Sequence, residues 1–185
     1  MPLSLRPLSH SLGAEVLGVN VGGTLTNAEF DQIHRAFLDH GILLFRDQKI
    51  TREQHIAFSR RFGELDDHSS LPRDRHPDYP ELLLVTNIPE KEGHPETGRK
   101  ALYIGDKVSC LVGMTPEESK PLIDFLVKHA TRPQFVYRHQ WRQDDIVFWD
   151  NRCTMHIALG DYEEGEIRHL ERTAVKGAPS GYYLQ

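Results

Sequence analysis

An α+β fold is predicted by three observations. Helix-start signatures of the capping-box kind occur at Thr26-Asn27-Ala28-Glu29, Thr51-Arg52-Glu53-Gln54 and Thr115-Pro116-Glu117-Glu118. In such a box the Ser or Thr side chain accepts from a backbone N–H three residues on, and the acidic or amide side chain there returns the bond. Short apolar runs of strand length stand at residues 42–45 (ILLF), 82–85 (LLLV) and 146–149 (IVFW). Helices fall early and strands late, without the regular alternation of a parallel βαβ sheet.

Taken in order, residues 1–25 read as short strands and turns, with 15–21 (EVLGVNV) alternating and stopping at Gly22-Gly23. The Thr26 box opens a helix to about His40, with Phe30, Ile33 and Phe37 on one face at helical spacing. Gly41 ends it, residues 42–45 form a buried strand, and Arg46-Asp47-Gln48 turns out of that strand. The Thr51 box starts a second helix, with Phe58 and Phe62 four apart and Gly63 at its end. Residues 66–80 are a polar loop, 82–85 a buried strand, and 89–98 a turn-rich connector before a further strand at 101–104. A third helix follows Thr115, with Pro116 at its first position. Leu122, Phe125 and Leu126 line its apolar face, and Thr131-Arg132-Pro133 ends it. Phe135, Tyr137, His139 and Trp141 alternate as in a strand, and Asp144-Asp145 turns into the apolar run at 146–149. Internal repeats and low-complexity tracts are absent from the sequence.

At 185 residues the chain fits one domain with a sizeable core. Its 22 basic and 27 acidic residues give a net charge of −5, which offers no electrostatic reason to expect nucleic acid or an anionic membrane as partner. No apolar run is long enough to span a bilayer, and the start of the chain lacks the apolar core of a signal peptide. Two cysteines, Cys110 and Cys153, stand far apart and outside any C-x-x-C pattern. That argues against a disulfide scaffold or zinc finger and suits a reducing cytoplasm.

The chemistry concentrates near the C-terminal end. The apolar run 146–149 turns through Asp150-Asn151, and a lone histidine, His156, follows. Arg172 comes sixteen residues later, beside a second strand-like run at 173–175. An imidazole is a good ligand for Fe, Zn or Cu. A guanidinium is the natural clamp for a carboxylate, because its planar fork donates two parallel hydrogen bonds. Two neighbouring strands carrying such a pair would make a metal site that also holds a small organic acid. From strand context alone, His156 reads first as a core histidine, and Arg172 has the plain alternative of a salt bridge to Glu171 or Asp150.

The run WDNRCTMHIALGDY followed by RHLERTAVKG resembles the C-terminal signature of the TauD/TfdA family of iron(II)- and 2-oxoglutarate-dependent dioxygenases. Residues 40–65 and 94–104 match the same family in the same order. The resemblance implies a double-stranded β-helix, or jelly roll, flanked by helices. It implies His156 as the distal iron ligand, Arg172 as the clamp on the far carboxylate of 2-oxoglutarate, and Arg168 as its support in the same strand. It makes His68 a candidate to touch substrate. It implies Fe(II) as cofactor, 2-oxoglutarate and dioxygen as co-substrates, a small organic acid as substrate, and the possibility of a homo-oligomer.

The family's remaining iron ligands arrive as His-x-Asp in a central segment. Here residue 93 runs directly into 94, where the resemblance places that segment, so the fold reads as incomplete. Two His-x-acid triplets remain, His76-Pro77-Asp78 and His94-Pro95-Glu96, both in stretches where the family has ordinary loops. Three readings stay open: a dioxygenase whose central segment is missing from this sequence, a deletion variant limited to binding or assembly, and an enzyme rebuilt around His76, Asp78 and His156.

Overall fold

The computed structural model describes residues 3–69, 75–84, 102, 104–105, 108–160 and 169–176. They fall into two compact units. The first comprises Met1–Val19, Thr26–Asp47 and Thr97–Met155, and the second Asn20–Leu25, Gln48–Glu96 and His156–Gln185.

The first unit is a four-stranded mixed sheet with helices. Strands β1 (Ser4–Pro7), β2 (Ala14–Leu17), β3 (Ile42–Phe45) and β5 (Ile146–Trp149) lie in that order. β1 pairs antiparallel with β2, β2 parallel with β3, and β3 antiparallel with β5, with Leu43 opposite Phe148. Helix α1 (Asn27–His40) is the crossover that the parallel β2–β3 pair requires. Its capping box forms: Glu29 N–H donates to Thr26 Oγ1 at 3.3 Å, and Thr26 N–H donates to Glu29 Oε2 at 2.8 Å. Gly41 takes φ +69°, which only glycine adopts without strain, and its N–H closes on the Phe37 carbonyl at 2.8 Å. The predicted face is the buried one: Phe30, Ile33 and Phe37 are buried, as are Ala14, Val16, Leu43, Leu44 and Phe45 on the strands. The Phe37 and Phe148 rings lie 4.3 Å apart and tie α1 to β5.

Two expectations for this unit fail. Helix α3 (Pro116–Ala130) forms with its Thr115–Glu118 box and Pro116 at the start, but Leu122 and Phe125 are exposed and Leu126 is half-buried. The buried residues are Ser119 and Ile123, so the inward stripe is turned one residue from the most hydrophobic one. Residues 136–142 lie outside helix and strand, preceded by a 3₁₀ turn at Pro133–Phe135. Side chains hold this segment instead. Tyr137 Oη lies 2.9 Å from His139 Nδ1, and His139 Nε2 lies 3.3 Å from Asp145 Oδ2. That same oxygen accepts from Arg46 Nη1 and, at 2.8 Å, from the Arg142 backbone N–H. The Asp145 side chain is fully buried. The predicted turn is present, with Asp144 at φ +64°.

The second unit holds α2 (Arg52–Arg60) and a two-stranded antiparallel ladder of β4 (Leu83–Leu84) and β6 (Glu171–Arg172). α2 opens on the Thr51 box and ends three residues before Gly63. Ile56, Leu65 and Leu82 form its core with Tyr79 and Val175. The segment after α2 runs beside the one after β6. Leu65 bridges Val175, Asp66 N–H donates to the Ala174 carbonyl at 2.8 Å, and Lys176 N–H donates to the Glu64 carbonyl at 2.7 Å. Of the strand expected at 101–104, Leu102 and Ile104 are described and are not in strand.

Candidate active site

His68, His156 and Arg172 all belong to the second unit. Arg172 sits on β6 opposite Leu83, half-buried, and burial pushes its guanidinium below the ordinary arginine value while Asp66 opposes the shift. Glu171 and Asp150, the two carboxylates the sequence offered to Arg172, each bond another arginine. Glu171 takes a forked bond from Arg52, with Arg52 Nε at 2.8 and 2.9 Å from the two carboxylate oxygens. Asp150 is held by the Arg152 side chain at 2.6 Å. The carboxylate that faces Arg172 electrostatically is Asp66, a residue the sequence reading passed over. The sequence signals only its local bond to the His68 N–H, through an Asp two places before a loop residue, the pattern of an Asx-turn.

Asp66 also fixes His68. Its Oδ1 accepts the His68 backbone N–H at 2.9 Å, and His68 takes φ +51°, the left-handed region that few non-glycine residues enter. The His68 side chain is 1% exposed. Its ring bonds the backbone of Glu81, while its Nε2 has no hydrogen-bond partner among the described residues. Burial holds the ring's pKa below the ordinary histidine value, Arg172 adds to that shift, and Asp66, Glu81 and Asp67 oppose it. A strained, buried imidazole with an orphaned nitrogen, electrostatically coupled to a half-buried guanidinium, makes a chemically loaded spot among the described residues of this unit.

His156 lies after the turn that follows β5, outside regular structure and exposed at its surface. Loss of surrounding water still holds its pKa below the ordinary value, so the ring is neutral near pH 7 with a lone pair to offer. Arg168 lies outside the described residues, as do His94 and Glu96. In the other triplet, His76 Nδ1 accepts the Asp78 N–H at 3.2 Å, and the ring packs edge-on against Tyr79 at 5.2 Å. This is a closed local turn with one ring nitrogen already used. Among the described residues no three His, Cys, Asp or Glu side chains converge to hold a metal ion. The described residues therefore do not by themselves make the three-ligand set that an iron centre of this kind needs.

Trp149 and Asp150 serve the strand and its turn. Trp149 Nε1 donates to Asn151 Oδ1 at 2.8 Å, and Asp150 N–H extends the β3 pairing by bonding the Gly41 carbonyl at 2.9 Å.

Comparison with known proteins adds identity to this geometry. The taurine catabolism dioxygenase TauD, TfdA family matches residues 4–94 and 74–174. The (S)-phenoxypropionate/alpha-ketoglutarate-dioxygenase of Sphingobium herbicidovorans is 24% identical over 276 residues, covering 95% of this chain and 96% of its own. The alpha-ketoglutarate-dependent 2,4-dichlorophenoxyacetate dioxygenase of Burkholderia sp. (strain RASC) is 35% identical over 168 residues, covering 90% of this chain. The chain spans 52% of that relative's length. Among solved structures, a taurine dioxygenase from Burkholderia xenovorans superposes with a TM-score of 0.73 at 25% identity, covering 83% of this chain and 81% of that one. The architecture is accordingly that of the TauD-type jelly roll, present in part. The chain belongs to the taurine catabolism dioxygenase TauD, TfdA family, and with it to the alpha-ketoglutarate-dependent dioxygenases, a class of oxidoreductases.

Proposed function

We propose that the protein is an iron(II)- and 2-oxoglutarate-dependent dioxygenase. It oxidises a small organic acid of the sulfonate, sulfate ester or aryloxy-acid type, with succinate and CO2 as co-products. Supporting this reading is Arg172, a half-buried guanidinium on a short strand ladder, faced by a carboxylate and flanked by an orphaned imidazole. In this reading Arg172 holds the far carboxylate of 2-oxoglutarate, replacing the weak counter-charge of Asp66. Arg168 supports it from the same segment. His68 faces the substrate, with its orientation set by Asp66 and Glu81. His156 offers one imidazole to the metal, and the remaining ligands come from outside the described residues.

The reading treats residues 1–185 as one dioxygenase domain from which a family segment is absent between about 93 and 94. The 276-residue alignment against a chain of 185 supports this, because the relative must carry residues with no counterpart here. No helix among the described residues is long and apolar enough to cross a membrane, and we place the protein in the cytoplasm.

A second reading, binding or assembly without turnover, is favoured by one observation: the described residues form no three-ligand metal group. Two measurements separate the readings. The first is intact mass, where a value well above 21.3 kDa identifies a central segment in the working protein. The second is equilibrium binding of 2-oxoglutarate against 2-oxobutyrate, which lacks the far carboxylate. A clamp at Arg172 predicts a preference of roughly 10- to 100-fold for 2-oxoglutarate, from ~1.5–3 kcal/mol for hydrogen bonds to a charged group. Arg172→Met should erase that preference. Equal binding of the two acids by the unaltered protein would remove Arg172 from the site.

A further inference from the structure

We propose that Arg52 is a positioning residue for Arg172: helix α2 sets where that guanidinium stands by gripping its two chain neighbours, Glu171 and Thr173. The inference rests on the reading of Arg172 as the clamp for an organic acid. Arg52, His55 and Ser59 lie three and four residues apart and so form one polar stripe along α2. Arg52 forks onto Glu171, with its Nε 2.8 and 2.9 Å from the two carboxylate oxygens. Ser59 Oγ accepts from Thr173 Oγ1 at 2.8 Å, and His55 Nε2 lies 3.5 Å from the same hydroxyl. Successive strand side chains point to opposite faces, so with Glu171 turned to α2, Arg172 is turned away from it. The carboxylate charge that reaches Arg172 is that of Asp66, beyond the end of α2.

Backbone pairing leaves room for this role. Among the described residues the β4–β6 ladder registers two pairs, Leu83 with Arg172 and Leu84 with Glu171. So short a ladder pins few backbone bonds, and side chains share in fixing the strand. Stability is not what Arg52 supplies. It occupies the first position of α2, where the helix dipole disfavours a cation. Its side chain is 45% exposed, and ion pairs open to water contribute little to stability. What the pair does supply is direction, because a forked guanidinium–carboxylate contact adds geometric specificity to its energy. Displacing a substrate-holding group by about 1 Å can cost roughly 100-fold in rate.

The test is equilibrium binding of 2-oxoglutarate and 2-oxobutyrate by the full chain, together with the NMR resonance of the Arg172 Nε–H, which needs no ligand. Arg52→Met and Glu171→Gln should each lower the preference for 2-oxoglutarate roughly 3- to 10-fold, shift the Arg172 resonance, and leave the thermal midpoint in place. Because Arg52 acts through Glu171, the double variant should lose no more than either single one. Arg52→Lys, which keeps the charge but not the fork, should fall between. Circular dichroism establishes that each variant is folded, and either single variant carries the test if the other is not. An Arg172 resonance unmoved in the folded variants, or losses that add in the double variant, would overturn the proposal. So would a thermal midpoint that falls in step with the preference, the mark of a merely structural contact. An unaltered protein with no preference for 2-oxoglutarate would remove Arg172 from the clamp reading, and the resonance alone would then decide the positioning role.

Discussion

Asp145→Ala should be among the most damaging single changes in the first unit. The Asp145 side chain is fully buried, and that of its partner Arg46 is only 18% exposed. The substitution strips the acceptor from the Arg46 guanidinium and the Arg142 backbone N–H, and takes the ionic neighbour from His139. Breaking one side of a buried ion pair costs about 3–5 kcal/mol, because the remaining charge keeps its desolvation penalty without compensation. The residual exposure of Arg46 favours the lower end, about 3 kcal/mol. At about 2–4 °C per kcal/mol for a chain of this size, the melting temperature should fall by roughly 6–12 °C. Urea unfolding followed by tryptophan fluorescence is the suitable assay, since Trp141 and Trp149 are the chain's two tryptophans and both lie in the first unit. Replacing Asp145 and Arg46 together by leucine and methionine should recover much of the loss, since no charge is then stranded. A loss below about 1 kcal/mol for Asp145→Ala would refute the claim that this carboxylate anchors the segment leading into β5.

Acid should weaken the fold before any carboxylate titrates. His55, His68, His139 and His156 are all held below the ordinary histidine value, chiefly by burial. Above about pH 6.5 these rings are neutral folded or unfolded and carry no penalty. Below it the unfolded chain takes up protons that the folded chain resists, so stability falls with pH. The urea midpoint should drop between pH 7.5 and 5.5; an unchanged midpoint would contradict the partly desolvated, neutral state of these rings in the folded chain. Gly63→Ala should destabilise the second unit by roughly 1–3 kcal/mol. Gly63 takes φ +149°, and a Cβ there would stand 2.8 Å from Val175 Cγ1. A neutral result in a thermal melt would show that Val175 gives way.

The parts of the fold visible from sequence are those governed by local chemistry. All three capping boxes form at the predicted threonines, Gly41 ends α1, and β3 and β5 occupy the apolar runs read as strands. Local pattern failed where tertiary burial decides. Leu122 and Phe125 belong to the apolar face expected of α3, yet the helix turns Ser119 and Ile123 inward, because the side that meets the rest of the unit is set by neighbours remote in sequence. Alternation at Phe135, Tyr137, His139 and Trp141 suggested a strand, but the segment is held by side-chain bonds to Arg46 and Asp145, which periodicity cannot register. In the candidate site, His156 and Arg172 were legible as residue types of the right chemistry. The role of Asp66 was not, since it depends on the pairing of residues 65 and 175 across more than a hundred positions. The left-handed conformation of His68 likewise leaves no trace in composition.

The central claim is dioxygenase chemistry, and its most direct test is succinate formation from 2-oxoglutarate by the purified protein in air with added Fe(II). Succinate should accumulate, with more released when a sulfonate, sulfate ester or aryloxy acid is supplied, and the signal should vanish in both His156→Ala and Arg172→Met. Absence of succinate from protein that is folded, iron-loaded and of verified mass would contradict the account and leave a binding or assembly role in its place.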